Sequence, residues 1–342
     1  MVEVNISKNE AGQRFDKFLF KYLNAAPKSF VYKMLRKKNI VLNGKKSTGD
    51  EKLCEGDSVK LFLAVETIEK FRESKSANVT NIPSISKKDI IFEDDDILLI
   101  NKKAGILSQK AEAKDVSINE MMISYLVNNN KVSKESLNTF KPSVCNRLDR
   151  NTTGLIACGK SLIGLQELSR LFKDRDIDKY YITLVKGVVN EKKSIEGYLH
   201  KDEKTNKVSI HSSQIDDSEY IKTTYIPLGS FKYKNIEGTL LKVKLHTGKP
   251  HQIRAHLSSI NHPIFGDTKY GCISTNNILR ADFNIKYQLL HSYSLTFPKE
   301  DLLLEKLKGK TFIAPIPNVY KKVLEGGNLW PLGIQEDLEV QH

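Results

Sequence analysis

The chain has 342 residues, more than one hydrophobic core usually organises, and its 54 basic against 41 acidic side chains give a net charge of +13, so a single small module is excluded and a polyanionic partner is expected, either nucleic acid or an anionic membrane surface. A hydrophobic content of 39% with 14 Phe and 13 Tyr supplies a core, so the charge does not mark a disordered chain. The longest apolar run, Leu61 to Val65, falls far short of the roughly 20 residues that span a bilayer, the first ten residues carry no apolar leader, and the four cysteines form no CxxC pair; the expectation is a soluble, unexported, cytoplasmic protein with reduced thiols, no metal and no structural zinc.

The first elements are helical. Phe15, Phe18, Leu19, Tyr22 and Leu23 follow i, i+3, i+4, i+7, i+8, and Phe30, Val31, Met34 and Leu35 continue that spacing after Ser29, which reads as an N-cap. A strand Ile40-Val41-Leu42, an Asn43-Gly44 turn and a strand Val59 to Leu63 behind a Gly56-Asp57 turn add a small sheet. Between Gly12 and Leu63 stand 12 Lys and Arg against 5 Asp and Glu, a net of +7, about half of the whole excess. Lys28 to Lys46 holds seven basic residues and no acid. A solvated lysine face would explain one isolated run; here the second helix and the hairpin share one acid-free strip, as phosphate contacts along a backbone require.

The segments R-F-D-K-F-L, K-S-F-V-Y-K-M-L-R-K-K-N-I-V-L-N-G-K and G-D-S-V resemble the alpha-L RNA-binding module of ribosomal protein S-four. The resemblance implies RNA docking by the second helix and hairpin, and puts Lys28, Ser29, Lys33, Arg36, Lys37, Lys38, Asn43 and Lys45 on the RNA face.

Residues 67–88, rich in Ser, Asn and charge without apolar period, read as a linker. A larger domain then opens with Ile90-Ile91-Phe92, an acidic turn and a strand Ile97 to Ile100. Further strands are expected at Leu155 to Cys158, Tyr181 to Val185 and Thr239 to Leu245, and a helix over Leu162, Leu165, Leu168, Leu171 and Phe172. The expected class is α+β, with a mixed, largely antiparallel sheet flanked by helices and loops, plus the small N-terminal αα-β domain. The boundaries are 1–66 for the RNA-binding module, 67–88 for the linker, 89–328 for the larger domain and 329–342 for a loosely attached tail.

Several chemistries lack their motifs. There is no GxGxxG turn, no GxxxxGK[ST] loop, no G-x-S-x-G elbow and no H-x-E with P-C-x-x-C. Three polar clusters remain, around Asn146 to Gly154, Lys179 to Tyr181 and His246 to His256. Arg147 and Asp149 alone would read as a surface ion pair; at i, i+2 they project to one side, and Thr153-Gly154 allows a tight entry into the next strand, with Asp149 at a sheet edge. Tyr181 alone would be a core aromatic. His251 and His256, five apart, do not share a helix face, which argues against joint metal ligation. Arg254 beside the apolar Ile253 and Leu257 calls for a carboxylate partner.

The ordered segments N-K-K-A-G-I-L, N-R-L-D-R-N-T-T-G-L, K-Y-Y-I-T-L-V-K-G, H-T-G-K-P-H-Q-I-R-A-H-L, H-P-I-F-G-D-T-K-Y-G and L-L-H-S resemble the RluA superfamily of RNA pseudouridine synthases, in the RluC/RluD-like arrangement with an N-terminal alpha-L module, over roughly residues 12–320. The resemblance implies cofactor-free isomerisation of uridine to pseudouridine, most similar to the large-subunit ribosomal RNA enzymes, in a protein expected to be monomeric. It implies that Asp149 is the catalytic aspartate, as nucleophile or as stabiliser of the separated sugar, with Arg254 its partner. Tyr181 would stack on the flipped base and assist proton removal from carbon 5, Arg147 would fill the place of the extruded nucleotide, and Ile253 would wall the uracil. The sequence departs from the family at Asn146, where His is common, at Thr153 for Ser, at Lys249-Pro250 for Arg-Thr and at Lys102-Lys103 for Lys-Pro. A tRNA substrate, or a non-catalytic role in RNA binding or ribosome assembly, stays open as an alternative.

Overall fold

In the computed structural model, residues 1–72, 82–112, 114–134, 136–202, 205 and 207–329 are described. The N-terminal part comprises β1 (Val2–Asn5), α1 (Phe15–Tyr22), α2 (Lys28–Arg36), β2 (Ile40–Leu42), β3 (Lys45–Lys46), β4 (Ser58–Leu61) and α3 (Val65–Phe71). There follow β5 (Ile90–Glu93), β6 (Ile97–Lys102), α4 (Ile118–Asn128), β7 (Ser143–Val144), β8 (Thr153–Gly159), α5 (Leu162–Asp174), β9 (Asp178–Lys186), β10 (Lys193–Asp202), β11 (Lys207–His211) and β12 (Ser218–Tyr233). The chain closes with β13 (Ile236–Leu245), α6 (Gln252–Ser259), α7 (Ile273–Phe283), β14 (Leu290–Thr296), β15 (Thr311–Ile313) and α8 (Asn318–Gly326). This is the expected α+β mixture.

The chain forms two compact units, Met1–Leu98 with Val116–Cys145 and Ala157–Arg170, and Leu99–Asp115 with Asn146–Ile156 and Leu171–His342. In the first, the apolar stripe of α1 and α2 is buried as its spacing demands: Phe15, Phe18, Leu19, Leu23, Val31 and Leu35 pack with Ile40, Val59 and Leu61 of a four-stranded sheet ordered β1-β4-β2-β3. Strand β1, not anticipated, pairs antiparallel with β4, whose end lies at Leu61 rather than Leu63. Ser29 does not cap α2. Pro27 takes the cap at φ −59°, ψ 142°, where its fixed φ suits helix entry and its missing N–H goes unneeded. Residues 67–71, expected as linker, finish α3, because Ile68 joins this core; residues 73–81 lie outside the described residues. The module is also tied to later chain, with Thr139 Oγ1 donating to Glu10 Oε1 at 2.6 Å and Lys8 pairing with Asp96 at 3.5 Å.

The second unit is built on antiparallel strands ordered β11-β10-β12-β13-β9-β14, with β15 beside β14 and the start of β8 pairing with β14 in parallel. Alternation along the strands sorts the two faces. On one, Leu199, Val208 and Ile221 pack on Ala255 of α6. On the other, Ile182, Leu184 and Leu240 meet Leu279 of α7 and Val323 and Leu324 of α8. The register Thr223↔Leu245, Tyr225↔Val243 and Val243↔Tyr181 puts Tyr181 on the α6 face. Leu329, expected to begin the tail, is buried in the second core, and the rest of that stretch lies outside the described residues.

Candidate active site

Asp149 lies on the loop between β7 and β8. This is not a sheet edge: β8 pairs with β14 at His291↔Thr153 and Ser292↔Gly154, and with β7 at its far end. Gly154 makes the close pairing possible, with φ +107° and a position where a Cβ would sit 2.1 Å from the Ser292 carbonyl oxygen. The segment before it is held from residues 102–108. Ser108 Oγ donates to the Leu148 carbonyl at 2.8 Å and accepts the Leu148 N–H at 2.9 Å. Lys102 Nζ, buried, donates to the carbonyls of Lys103, Ile106 and Arg150 at 3.0, 2.8 and 2.8 Å. Burial pushes this lysine down to about 7, against the charge of Asp149, which favours the ammonium. The backbone on either side of Asp149 is thus pinned while its side chain reaches into a cleft.

The first turn of α6 carries the partner. Arg254, buried in the cleft floor, donates from Nη1 to Asp149 Oδ2 at 2.8 Å, and from Nε and Nη2 to Asp267 Oδ2 and Oδ1 at 2.7 and 3.0 Å. The planar guanidinium serves two carboxylates at once and grips Asp267 with a bidentate fork that a lysine ammonium does not present. Asp267 is fully buried and its Oδ1 also accepts the N–H groups of Lys269 and Tyr270 at 2.8 and 3.0 Å. Burial raises its carboxyl, but the Arg254 hydrogen bonds and charge outweigh that and hold it below the usual carboxylate range. Burial acts against the guanidinium too, yet the two carboxylates raise Arg254 well above its ordinary value. The Tyr270 ring lies under the guanidinium, 5.2 Å from its centre.

The segment before α6 is fixed by Gln252, whose every polar group is used. Oε1 accepts Thr247 Oγ1–H at 2.8 Å and the Lys249 N–H at 3.1 Å; Nε2 donates to the Lys222 carbonyl and Thr223 Oγ1 at 3.1 and 3.0 Å. His251 precedes it at φ 55°, ψ 10°, with Nδ1 3.0 Å from Tyr270 Oη and Nε2 4.0 Å from Asp149 Oδ2.

The cleft is lined by Arg147, Asp149, Tyr181, His251, Ile253 and Arg254 among others, so the five residues expected there from the sequence, Asp149, Tyr181, Arg254, Arg147 and Ile253, are brought together. Tyr181 is buried in its wall, and burial pushes the phenol up to about 12, with Ser292 acting against this and the Asp149 charge adding to it. It meets a ligand as a neutral phenol with a stacking face. His256 faces away, its Nδ1 3.0 Å from Thr223 Oγ1, so it shares no site with His251. Lys28, Ser29, Lys33, Arg36, Lys37, Lys38, Asn43 and Lys45 lie elsewhere, on α2, the turn that follows it and the β2–β3 hairpin, and all are exposed. Of these, Asn43 spends its amide inside the fold, donating to Asp57 Oδ1 and accepting the Ser58 N–H, both at 2.8 Å. Sequence reasoning missed Asp267, Lys102, His251 and Ser108 as site residues; all stand within or beside the motif segments, which was the available signal.

Residues 96–259 match the family model for RNA pseudouridylate synthase. The chain is similar to ribosomal large subunit pseudouridine synthase C of Buchnera aphidicola subsp. Baizongia pistaciae, 31% identical over 94% of this chain and 96% of that one. It is 28% identical to the protein of the same name from Vibrio cholerae serotype O1, over 86% and 88%, and 30% identical to an uncharacterized RNA pseudouridine synthase of Mycoplasma capricolum, over 85% and 93%. Among solved structures, human RNA pseudouridylate synthase domain containing 4 shares the fold, with TM-score 0.55 at 18% identity over 70% of this chain and 93% of that one.

Proposed function

The chain belongs to the RluA family of RNA pseudouridylate synthases, enzymes that isomerise uridine in RNA, and from that premise we propose that it modifies large-subunit ribosomal RNA with Asp149 as its catalytic carboxylate. The observation that carries the assignment of Asp149 is the buried Arg254 bridging Asp149 and Asp267 beneath an open cleft. A carboxylate aimed by a guanidinium that is itself anchored is preorganised for work at a sugar carbon.

In the reaction the bond from the sugar C1′ to uracil N1 breaks and one from C1′ to C5 forms. A proton leaves C5 and one is gained at N1, so no cofactor is consumed. Asp149 acts at the sugar and Arg254 holds it. Tyr181 stacks on the extruded base, Ile253 walls it, and Arg147 occupies the space it left, which offsets part of the few kcal/mol that extrusion costs. Lys28, Ser29, Lys33, Arg36, Lys37, Lys38, Asn43 and Lys45 dock the RNA backbone. The target is taken from the relatives named as large-subunit enzymes. We further propose that the enzyme acts in the cytoplasm as a monomer. Among the described residues no helix is long and apolar enough to cross a membrane.

RNA carrying tritium at C5 of uridine tests this. The protein should release tritium and Asp149→Ala should abolish release; equal release from both would remove Asp149 from its role. Pseudouridine mapping in a strain lacking the gene should show loss in large-subunit RNA, and loss confined to tRNA would overturn the target.

A further inference from the structure

Asp149 faces a second nitrogen besides those of Arg254. His251 Nε2 lies 4.0 Å from Asp149 Oδ2, too far for a direct hydrogen bond. The other ring nitrogen fixes what Nε2 carries. Tyr270 Oη accepts the Val208 N–H at 3.0 Å and lies 3.0 Å from His251 Nδ1. We assign the phenol proton to Nδ1, the acceptor in reach, which leaves the imidazole proton on Nε2 and points it toward the carboxylate. The opposite tautomer would set a nitrogen lone pair against a carboxylate oxygen. Burial, with the Arg254 and Lys269 charges, holds the ring below its ordinary pKa against the pull of Asp149 and Asp267, so it is neutral near pH 7.

The backbone adds an independent observation. His251 sits at φ 55°, a left-handed conformation that glycine holds with less strain, and its side chain lines the cleft rather than a core. The ring thus faces the cleft, where a ligand would meet it.

We infer that His251 and Asp149 together bind a ribose 2′-hydroxyl, whose oxygen accepts Nε2–H and donates to the carboxylate, so that the pair selects RNA over DNA at the reacting nucleotide. An oxygen about 2.8 Å from each atom spans this gap with an angle near 90° at the hydroxyl, within the geometry that hydrogen bonds accept. The 2′-hydroxyl is the group that is both donor and acceptor on RNA and missing from DNA. The inference rests on the reading of Asp149 as the catalytic carboxylate of an RNA isomerase.

The test is a single-turnover comparison on a large-subunit ribosomal RNA fragment that carries C5-tritiated uridine at a converted position, and on the same fragment ligated with C5-tritiated 2′-deoxyuridine there. The wild-type enzyme should react about 10- to 100-fold more slowly with the deoxy substrate. His251→Gly, which suits the backbone and removes the donor, should slow the ribose substrate and shrink that penalty about tenfold. His251→Asn, which tolerates the same φ but ends short of the gap, should behave alike, and Tyr270→Phe, which frees the tautomer, should fall between. A merely structural His251 would slow both substrates equally, and an unchanged penalty in both His251 variants overturns the inference while leaving the isomerase reading intact. A wild-type protein inactive on the ribose fragment would overturn that reading and this inference with it.

Discussion

Replacing Asp267 by Asn probes the support beneath Asp149 without touching the cleft. The amide keeps the volume, and its oxygen can still accept the N–H groups of Lys269 and Tyr270. Its NH2 then faces a guanidinium donor, so one of the two Arg254 contacts at 2.7 and 3.0 Å becomes donor against donor. Removing one charged partner from a buried pair costs about 3–5 kcal/mol, and the side chain of Asp267 is fully buried. We expect a loss near the lower figure, about 3 kcal/mol, because the amide oxygen retains part of the network. Urea unfolding followed by circular dichroism should show a lower midpoint, and single-turnover pseudouridine formation should slow about 100-fold as Asp149 loses its aim. The pH dependence has a definite sign. The folded carboxyl of Asp267 titrates below its unfolded value, so its contribution is present above the ordinary carboxylate range near pH 4 and is lost as pH falls through the lower folded value. The wild type should therefore lose more stability than Asp267→Asn below about pH 4. An Asn variant with the wild-type midpoint and rate would refute the claim that Asp267 anchors Arg254.

Gly154→Ala should cost about 4 kcal/mol or more, read as a drop in the urea midpoint, because its Cβ would fall 2.1 Å from the Ser292 carbonyl; near-normal stability would contradict the β8–β14 approach. Arg36→Gln with Lys38→Gln should weaken RNA binding and reduce the log–log salt slope by about 1.5–2, leaving conversion of short fragments unchanged; an unaltered slope removes the strip from the RNA footprint. Tyr181→Phe should keep the stacking face and bind RNA within about threefold. The wild-type pH–rate profile should show no tyrosine ionisation near pH 10, since the phenol is held up to about 12, and an inflection near 10 that vanishes in the Phe variant would contradict that placement.

What was legible in the sequence follows from locality. The stripe of Phe15, Phe18 and Leu19 shows α1 because one face is buried and the other is not. Helix α4 has no such stripe: Met122, Ile123, Tyr125 and Leu126 are all buried, so its period is masked, although Ser117 and Glu120 form a capping box that could have announced it. Strands β10 and β12 alternate polar residues on an exposed face, and their charged, Ser-rich and Thr-rich composition reads as loop. Asp149 and Arg254 were named from motif order, and the need of Arg254 for a carboxylate was foreseeable from its apolar neighbours. Which carboxylates answer it was not, since one lies 105 residues away in sequence and the other 13, joined only by the fold.

The discontinuity of the first unit bears on the order in which the protein is made. Its main apolar cluster lies between Ile6 and Ile68, so this part can close as soon as it leaves the ribosome. The hydroxyl that Glu10 receives belongs to Thr139, and the last segment of the unit ends at Arg170, so the unit is complete only when half of the chain has emerged. During that interval the nascent chain presents its basic strip before the cleft exists, and a pause in translation between residues 68 and 139 would lengthen the time for which that strip of exposed lysines and arginines stands without the cleft.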